Sequence, residues 1–288
     1  MGSGVWNTKA VTDYATTTYG VSSLRDFTDS NFTTQDIFTQ RRLVKELDPY
    51  EVMRECCDSE EHPNTIPVIL GLDVTGSMGE AAVKTAQALN EIMTTLYDEV
   101  NDVEFCTIGI GDLAYDRAPI QISQFESDVR IIEQLDKVYF EGGGGGNTYE
   151  SYTAAWYMGL KHCNLDCWKR GKKGIIITMG DELPNPYLPE YKLETIVGDK
   201  VQEGLLNTKT LYKLASEKYD IYHISIDDKD SCYGIYKNSL HLDDKWKELL
   251  GPNYLVSDLN NLAANIIGIV TKGATTTFLQ EKEETIEW

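Results

Sequence analysis

The chain has 288 residues, 41% of them hydrophobic, enough for one large α/β core with extensions or for two small domains. Its 46 acidic residues outnumber 26 basic ones and give a formal charge of −20, which repels phosphate backbones and anionic membrane surfaces and argues against nucleic acid or membrane as a partner. No segment approaches the roughly 20 apolar residues that span a bilayer, and the N-terminus lacks the basic, apolar and small-residue succession of a secretory signal. The expectation is a cytoplasmic protein, or a virion component if phage-encoded.

Residues 1–64 are rich in Thr, Ser, Asp and Tyr and read as an N-terminal arm with short helices. A helix is predicted over Gln35 to Leu47, a turn at Asp48-Pro49 and a second short helix from Tyr50 to Cys57. His62 falls in a polar, exposed loop, and Pro67 opens the first central strand. From there strands and helices alternate through residues 65–272, which predicts a doubly wound, mostly parallel sheet with helices on both faces, a Rossmann-like fold. Val68 to Leu72 is an apolar run suited to a strand buried on both faces. After Gly79 the residues Ala82, Ala86, Leu89, Met93 and Leu96 repeat at spacings of three and four, a helical stripe that packs as core. Further strands are predicted at Val103 to Ile110, Gly174 to Met179, Ile221 to Ile226 and Tyr254 to Val256. Helices are predicted at Asp128 to Val138, Glu150 to His162, Thr208 to Tyr219, Asp243 to Leu250 and Asp258 to Lys272. Leu183 to Tyr191 reads as a Pro-rich loop, and residues 273–288 as a polar, fraying tail that Trp288 could anchor. The six cysteines match no zinc or redox spacing; Cys106 reads as a small core hydrophobe, and Cys163 and Cys167 would share a helix face.

Three segments end strands or begin helices with oxygen donors. They are Asp73-Val74-Thr75-Gly76-Ser77, the run Gly142 to Gly146 followed by Asn147-Thr148, and Thr178-Met179-Gly180-Asp181. In an open parallel sheet, ligands bind at the carboxyl ends of the strands, so these loops can converge. Oxygen donors suit Mg²⁺, and equally Mn²⁺ or Ca²⁺. A glycine run lets backbone approach an ion closely, and Thr148 can cap the next helix while offering its hydroxyl. Met78 is free either to pack or to touch a partner. Asp112 and Asp116, and Asp227 to Asp230, read as solvated turns at the same rim.

Over residues 66 to 272 this arrangement resembles the metal-ion-dependent adhesion site of von Willebrand factor type A domains, with its Asp-x-Ser-x-Ser signature, a Thr from a second loop and an Asp from a third. Asp73 and Ser77 match the first and last signature positions, and Thr75 replaces the middle Ser. Thr148 matches the second-loop Thr, with Ser151 a competitor; Asp181 lies two residues later than the family pattern, and Glu182 is an alternative to it. The resemblance implies Mg²⁺ held by Thr75 and Ser77, with Asp73, Thr148 and Asp181 completing the shell directly or through water. It also implies a vacant coordination position for an Asp or Glu of a protein partner, such as an AAA+ ATPase or an assembly subunit.

The leading expectation is therefore a metal-dependent interaction module that is not an enzyme. One alternative is a structural component of a multi-subunit particle such as a virion, tied to neighbours by its arm. Another is a metal-dependent phosphatase or hydrolase, but Thr75 stands where the haloacid-dehalogenase loop needs its second carboxylate, and no Walker Lys follows the glycines.

Overall fold

The computed structural model describes residues 4–143, 147–201, 204, 206–226 and 241–284, with side chains described as far as Ala274. Asp227 to Asp230, Cys232 and Trp288 lie outside the described residues.

Six strands form the central sheet: β1 (Ile66–Asp73), β2 (Val103–Ile110), β3 (Ile120–Ile122), β4 (Gly174–Gly180), β5 (Tyr219–Ile226) and β6 (Tyr254–Ser257). Their spatial order is β6-β5-β4-β1-β2-β3. All neighbours run parallel except β3, which pairs antiparallel with β2 at the edge. The chain thus winds outward from β1 in one direction and returns to build the other half from β4, so the switch of direction falls between β1 and β4. Leu72 pairs with Met179 there. The chain segments after Asp73 and after Gly180 consequently leave the sheet side by side.

Side chains alternate across each strand. Val68, Leu70 and Leu72 enter one core with α4 (Gly79–Glu99) and α10 (Leu262–Glu284), and the predicted stripe of α4 lies in it. Ile69, Cys106 and Ile176 enter the other core with α6 (Thr153–His162), α7 (Glu190–Val197), α8 (Thr208–Ala215) and α9 (Leu242–Leu250).

The arm folds onto the first core. It contains α1 (Thr8–Tyr19), α2 (Leu24–Asp29) and the single turn α3 (Thr34–Ile37). Asn7 caps α1 by accepting from the N–H groups of Lys9 and Ala10, and Gly20 ends it in the left-handed conformation at φ 69°. Trp6, Val11, Ala15, Phe27, Ile37 and Phe38 are buried with α4. Gln87 on α4 fastens α2 by donating to the carbonyls of Phe27 and Ser30, both at 2.8 Å.

The predicted helix over Gln35 to Leu47 is not formed. Only α3 and a 3₁₀ turn at Lys45–Leu47 are helical, because Leu43 and Val44 lean on the core as irregular chain. The second predicted helix is instead extended at Arg54–Cys56, pairing in parallel with Cys163–Leu165. Arg54 holds it there by donating to the carbonyls of Glu46 and Ile122. Cys163 is therefore in a strand, and Cys167 lies in a 3₁₀ turn. His62 is buried, its ring nitrogens bonded to Asp102 and to the Gly4 carbonyl. The Pro-rich loop contains the start of α7, and α10 starts at Leu262 and runs through Gly273 to Glu284. The remaining short helix, α5 (Arg130–Leu135), packs beneath β2.

Candidate functional site

The first loop is wound tightly round Asp73, which is completely buried. Thr75 donates to Asp73 Oδ1 twice, from its N–H at 2.9 Å and its hydroxyl at 2.6 Å. Gly76 and Ser77 remain exposed, and Met78 turns inward and packs in the core. Ser77 Oγ donates to Asp181 Oδ1 at 3.0 Å, closing the first loop onto the third across 104 residues of chain. Asp181, despite its late position, is thus the third-loop carboxylate that meets Ser77.

The glycine run joins through its backbone. Glu141 N–H donates to Val74 O at 3.0 Å and Gly76 N–H to Gly143 O at 2.9 Å. A Cβ on Gly76 would stand 2.9 Å from Gly142 O, so only glycine permits this approach. Thr148 follows, half-buried, and its carbonyl accepts from Leu183 N–H at 3.3 Å. Tyr149–Glu150 then pairs with Leu183–Pro184 as a small parallel ladder. Second and third loops are therefore stitched together, but Thr148 does not cap α6, which starts at Thr153 after the ladder. Ser151 is taken up elsewhere, accepting from Leu113 N–H at 3.0 Å.

Two residues that sequence reasoning did not single out complete the cluster. Tyr152, fully buried, donates its hydroxyl to Asp73 Oδ2 at 2.8 Å and accepts from Glu182 N–H at 3.2 Å. Its ring is held edge-on by His223 and Trp246, which stack on each other with centroids 3.7 Å apart. Trp246 Nε1 also donates to Glu182 O at 3.0 Å, and Thr178 Oγ1 lies 2.8 Å from His223 Nδ1. Glu150 is 5% exposed, and its Oε2 has no hydrogen-bond partner among the described residues. The available signal was an acid two residues beyond Thr148, read as the start of a helix.

Asp112 and Asp116 are built into the rim rather than solvated. Asp112 accepts from Ala114 N–H at 2.7 Å and from Asn147 Nδ2 at 2.6 Å, and Asp116 accepts from Asp112 N–H at 2.7 Å.

Burial pushes the Asp73 carboxyl up, the charge of Asp181 adds to that, and the bonds from Thr75 and Tyr152 oppose it. Glu150 is pushed up by burial, then by Asp73, Asp116, Asp112 and Glu182. The strongest influences on both groups are thus desolvation and like charge. Among the described residues no three His, Cys, Asp or Glu side chains form a metal-holding group; the converging donors mix carboxylates with hydroxyls.

No protein-family model matches the chain. No curated protein matches it. Solved structures with a similar fold include the pilus adhesin SpaC from Lactobacillus rhamnosus GG in its open conformation, with TM-score 0.47 and 16% identity over 73% of this chain and 31% of that one. Another is proximal thread matrix protein 1 from the mussel byssus with a zinc-occupied MIDAS motif, with TM-score 0.45 and 12% identity over 73% of this chain and 46% of that one. The chain spans less than half the length of either, 31% and 46%. Among the described residues no helix is long and apolar enough to cross a membrane.

Proposed function

We propose that the chain is a von Willebrand factor type A-like interaction module whose three loops hold a divalent cation, Mg²⁺ in the first instance, that a partner's carboxylate completes. The observation that carries this reading is the bond from Ser77 to Asp181 beside the buried Asp73–Thr75 pair, which joins hydroxyls and carboxylates of separate loops at the switch point of the sheet. The donor set fits a hard cation: every converging atom is oxygen, and the charge of Asp181 adds to burial in pushing the Asp73 carboxyl up. Thr75 and Ser77 would hold the ion, with Asp73, Asp181 and Thr148 around it. When bound, it supplies an electrophilic position that an Asp or Glu from another protein can occupy.

The chain's own residues do the rest. Thr75 and Tyr152 fix the orientation of Asp73, and the aromatic stack under Glu182 keeps the third loop against the first. The site is not an enzyme's in this reading, since Asp73 has hydroxyls and no second acid two residues on. The alternative of a particle subunit tied through its arm has less support, because Trp6, Val11, Phe27, Ile37 and Phe38 of the arm are already buried in the core around α4, leaving Val5, Tyr50 and Met53 as its exposed large apolar side chains among the described residues.

The test is calorimetric titration of Mg²⁺ and Mn²⁺ into wild type, Asp73→Asn and Ser77→Ala, with pull-down from native lysate in the presence and absence of EDTA. Saturable binding that both variants weaken at least tenfold, with a partner released by EDTA, is expected. Unchanged Mg²⁺ affinity in both variants would show that the ion, if bound, sits elsewhere. The exposed Ser77 serves as the variant least able to disturb folding.

A further inference from the structure

Between α3 and the Lys45–Leu47 turn, the arm runs past the glycine loop and leaves an open cleft of about 580 Å³. Phe38, Thr39 and Arg41 line it from the arm, and Gly76, Phe140 and Glu141 from the opposite side. Gly76, between Thr75 and Ser77 in the chain, belongs to this lining, so the cleft adjoins the first loop. Phe38 and Phe140, with centroids 5.5 Å apart, give it an aromatic floor. Its size lies in the range of clefts that hold ligands, roughly 300–1,000 Å³.

The charges in this cleft are unlike those of the neighbouring rim. Arg41 is exposed, and no hydrogen bond or ion pair engages its guanidinium among the described residues. Glu141 shares the cleft, but its Oε1 is turned to the N–H groups of Arg117 and Ala118, at 2.8 and 2.6 Å. An anionic ligand thus meets a free guanidinium at one place and a cation at another. The near wall, at Gly76 and Gly142, presents backbone without side chains, so an extended chain can lie close.

We propose that the cleft is the docking groove for an extended acidic peptide segment of a partner protein, with one carboxylate on the cation and a second paired with Arg41. This rests on the metal-site reading above and names its partner class. A guanidinium suits a carboxylate, with which it pairs through two parallel hydrogen bonds. A nucleic acid would need several phosphates neutralised, and the cleft lining offers one basic side chain. The formal charge of −20 opposes any acidic partner at a distance, yet at physiological ionic strength screening over about 8 Å leaves the local charges to decide.

The probe is fluorescein-labelled octaglutamate, followed by fluorescence anisotropy in Mg²⁺ and in EDTA, with wild type, Arg41→Glu and Thr39→Trp, which fills the cleft. Mg²⁺ affinity of each protein is measured separately by calorimetry without peptide. The expected result is binding in Mg²⁺ that EDTA abolishes and that each variant weakens tenfold or more at unchanged Mg²⁺ affinity. Peptide binding that needs Mg²⁺ but ignores both variants overturns the groove and leaves the metal reading standing. So does a protein that binds Mg²⁺ and no peptide. Tighter binding of decathymidylate than of octaglutamate overturns the assignment to a peptide. A wild type that binds no Mg²⁺ overturns the metal reading and the groove together.

Discussion

One hydroxyl, that of Tyr152, connects the buried acid of the first loop to the backbone of the third. In Tyr152→Phe the ring can keep its place in the aromatic stack, but the fully buried Asp73 Oδ2 and the N–H of the half-buried Glu182 both lose that partner. Leaving a buried polar group unpaired costs about 1–3 kcal/mol. We expect Tyr152→Phe to lower Mg²⁺ affinity about tenfold and to unfold at a measurably lower temperature; an affinity within twofold of wild type would show that Tyr152 does not position Asp73. Gly180→Ala should be the harsher change, because a Cβ there would fall 1.9 Å from the Tyr152 hydroxyl and must displace the ring or the end of β4. That Asp73, Thr75 and Ser77 share one loop at the end of β1 was legible because the signal is contained in five consecutive residues. Tyr152 and Glu150 were not: they acquire their roles from the pairing of Tyr149 with Leu183, which no local spacing announces.

The same division separates the elements. Val103 to Ile110 and the stripe of α4 were readable because an apolar run or a helical period is a local signal. The arm was not, since its polar composition conceals the few large side chains that dock it. Phe27 is 4% exposed, stacked on Tyr19 at 4.7 Å and flanked by Phe32 at 5.5 Å. Tyr14 donates at 2.7 Å to the buried Asp136, just beyond α5, and Tyr19 donates to the same oxygen. Truncating a buried Phe to Ala costs about 3–5 kcal/mol. Phe27→Ala should therefore lower the urea midpoint and open the arm to limited proteolysis ahead of the sheet. A loss under about 1 kcal/mol would mean that the arm is held by its polar clamp and hardly by its apolar face. A β-pairing of three residues such as β3 was likewise invisible, because its existence depends on the edge that β2 offers.

At the scale of the whole molecule, buried acids set how stability responds to pH. Burial pushes the Asp136 carboxyl up to about 6 against the donated bonds of Tyr19 and Tyr14. It pushes Glu104, fully buried on β2, up to about 7, while the Cys56 thiol and His62 pull the other way. Each group holds its proton in the folded chain at a pH where the unfolded chain has released it. The folded state therefore binds more protons between roughly pH 4 and 7, and stability must fall as pH rises through that window. At about 1.4 kcal/mol per pKa unit the two together are worth several kcal/mol, present near pH 4 and gone by about pH 8. Asp73 and Glu150 act in the same direction without a cation, so the comparison belongs in EDTA, where they are common to every variant. Urea unfolding of wild type from pH 5 to 8 should show a steady loss, and Glu104→Gln with Asp136→Asn should flatten it by removing the ionisation each site resists. A double variant whose stability falls as steeply as wild type would locate the dependence in the collective repulsion of a chain with charge −20, and that origin would show itself by weakening as salt is raised.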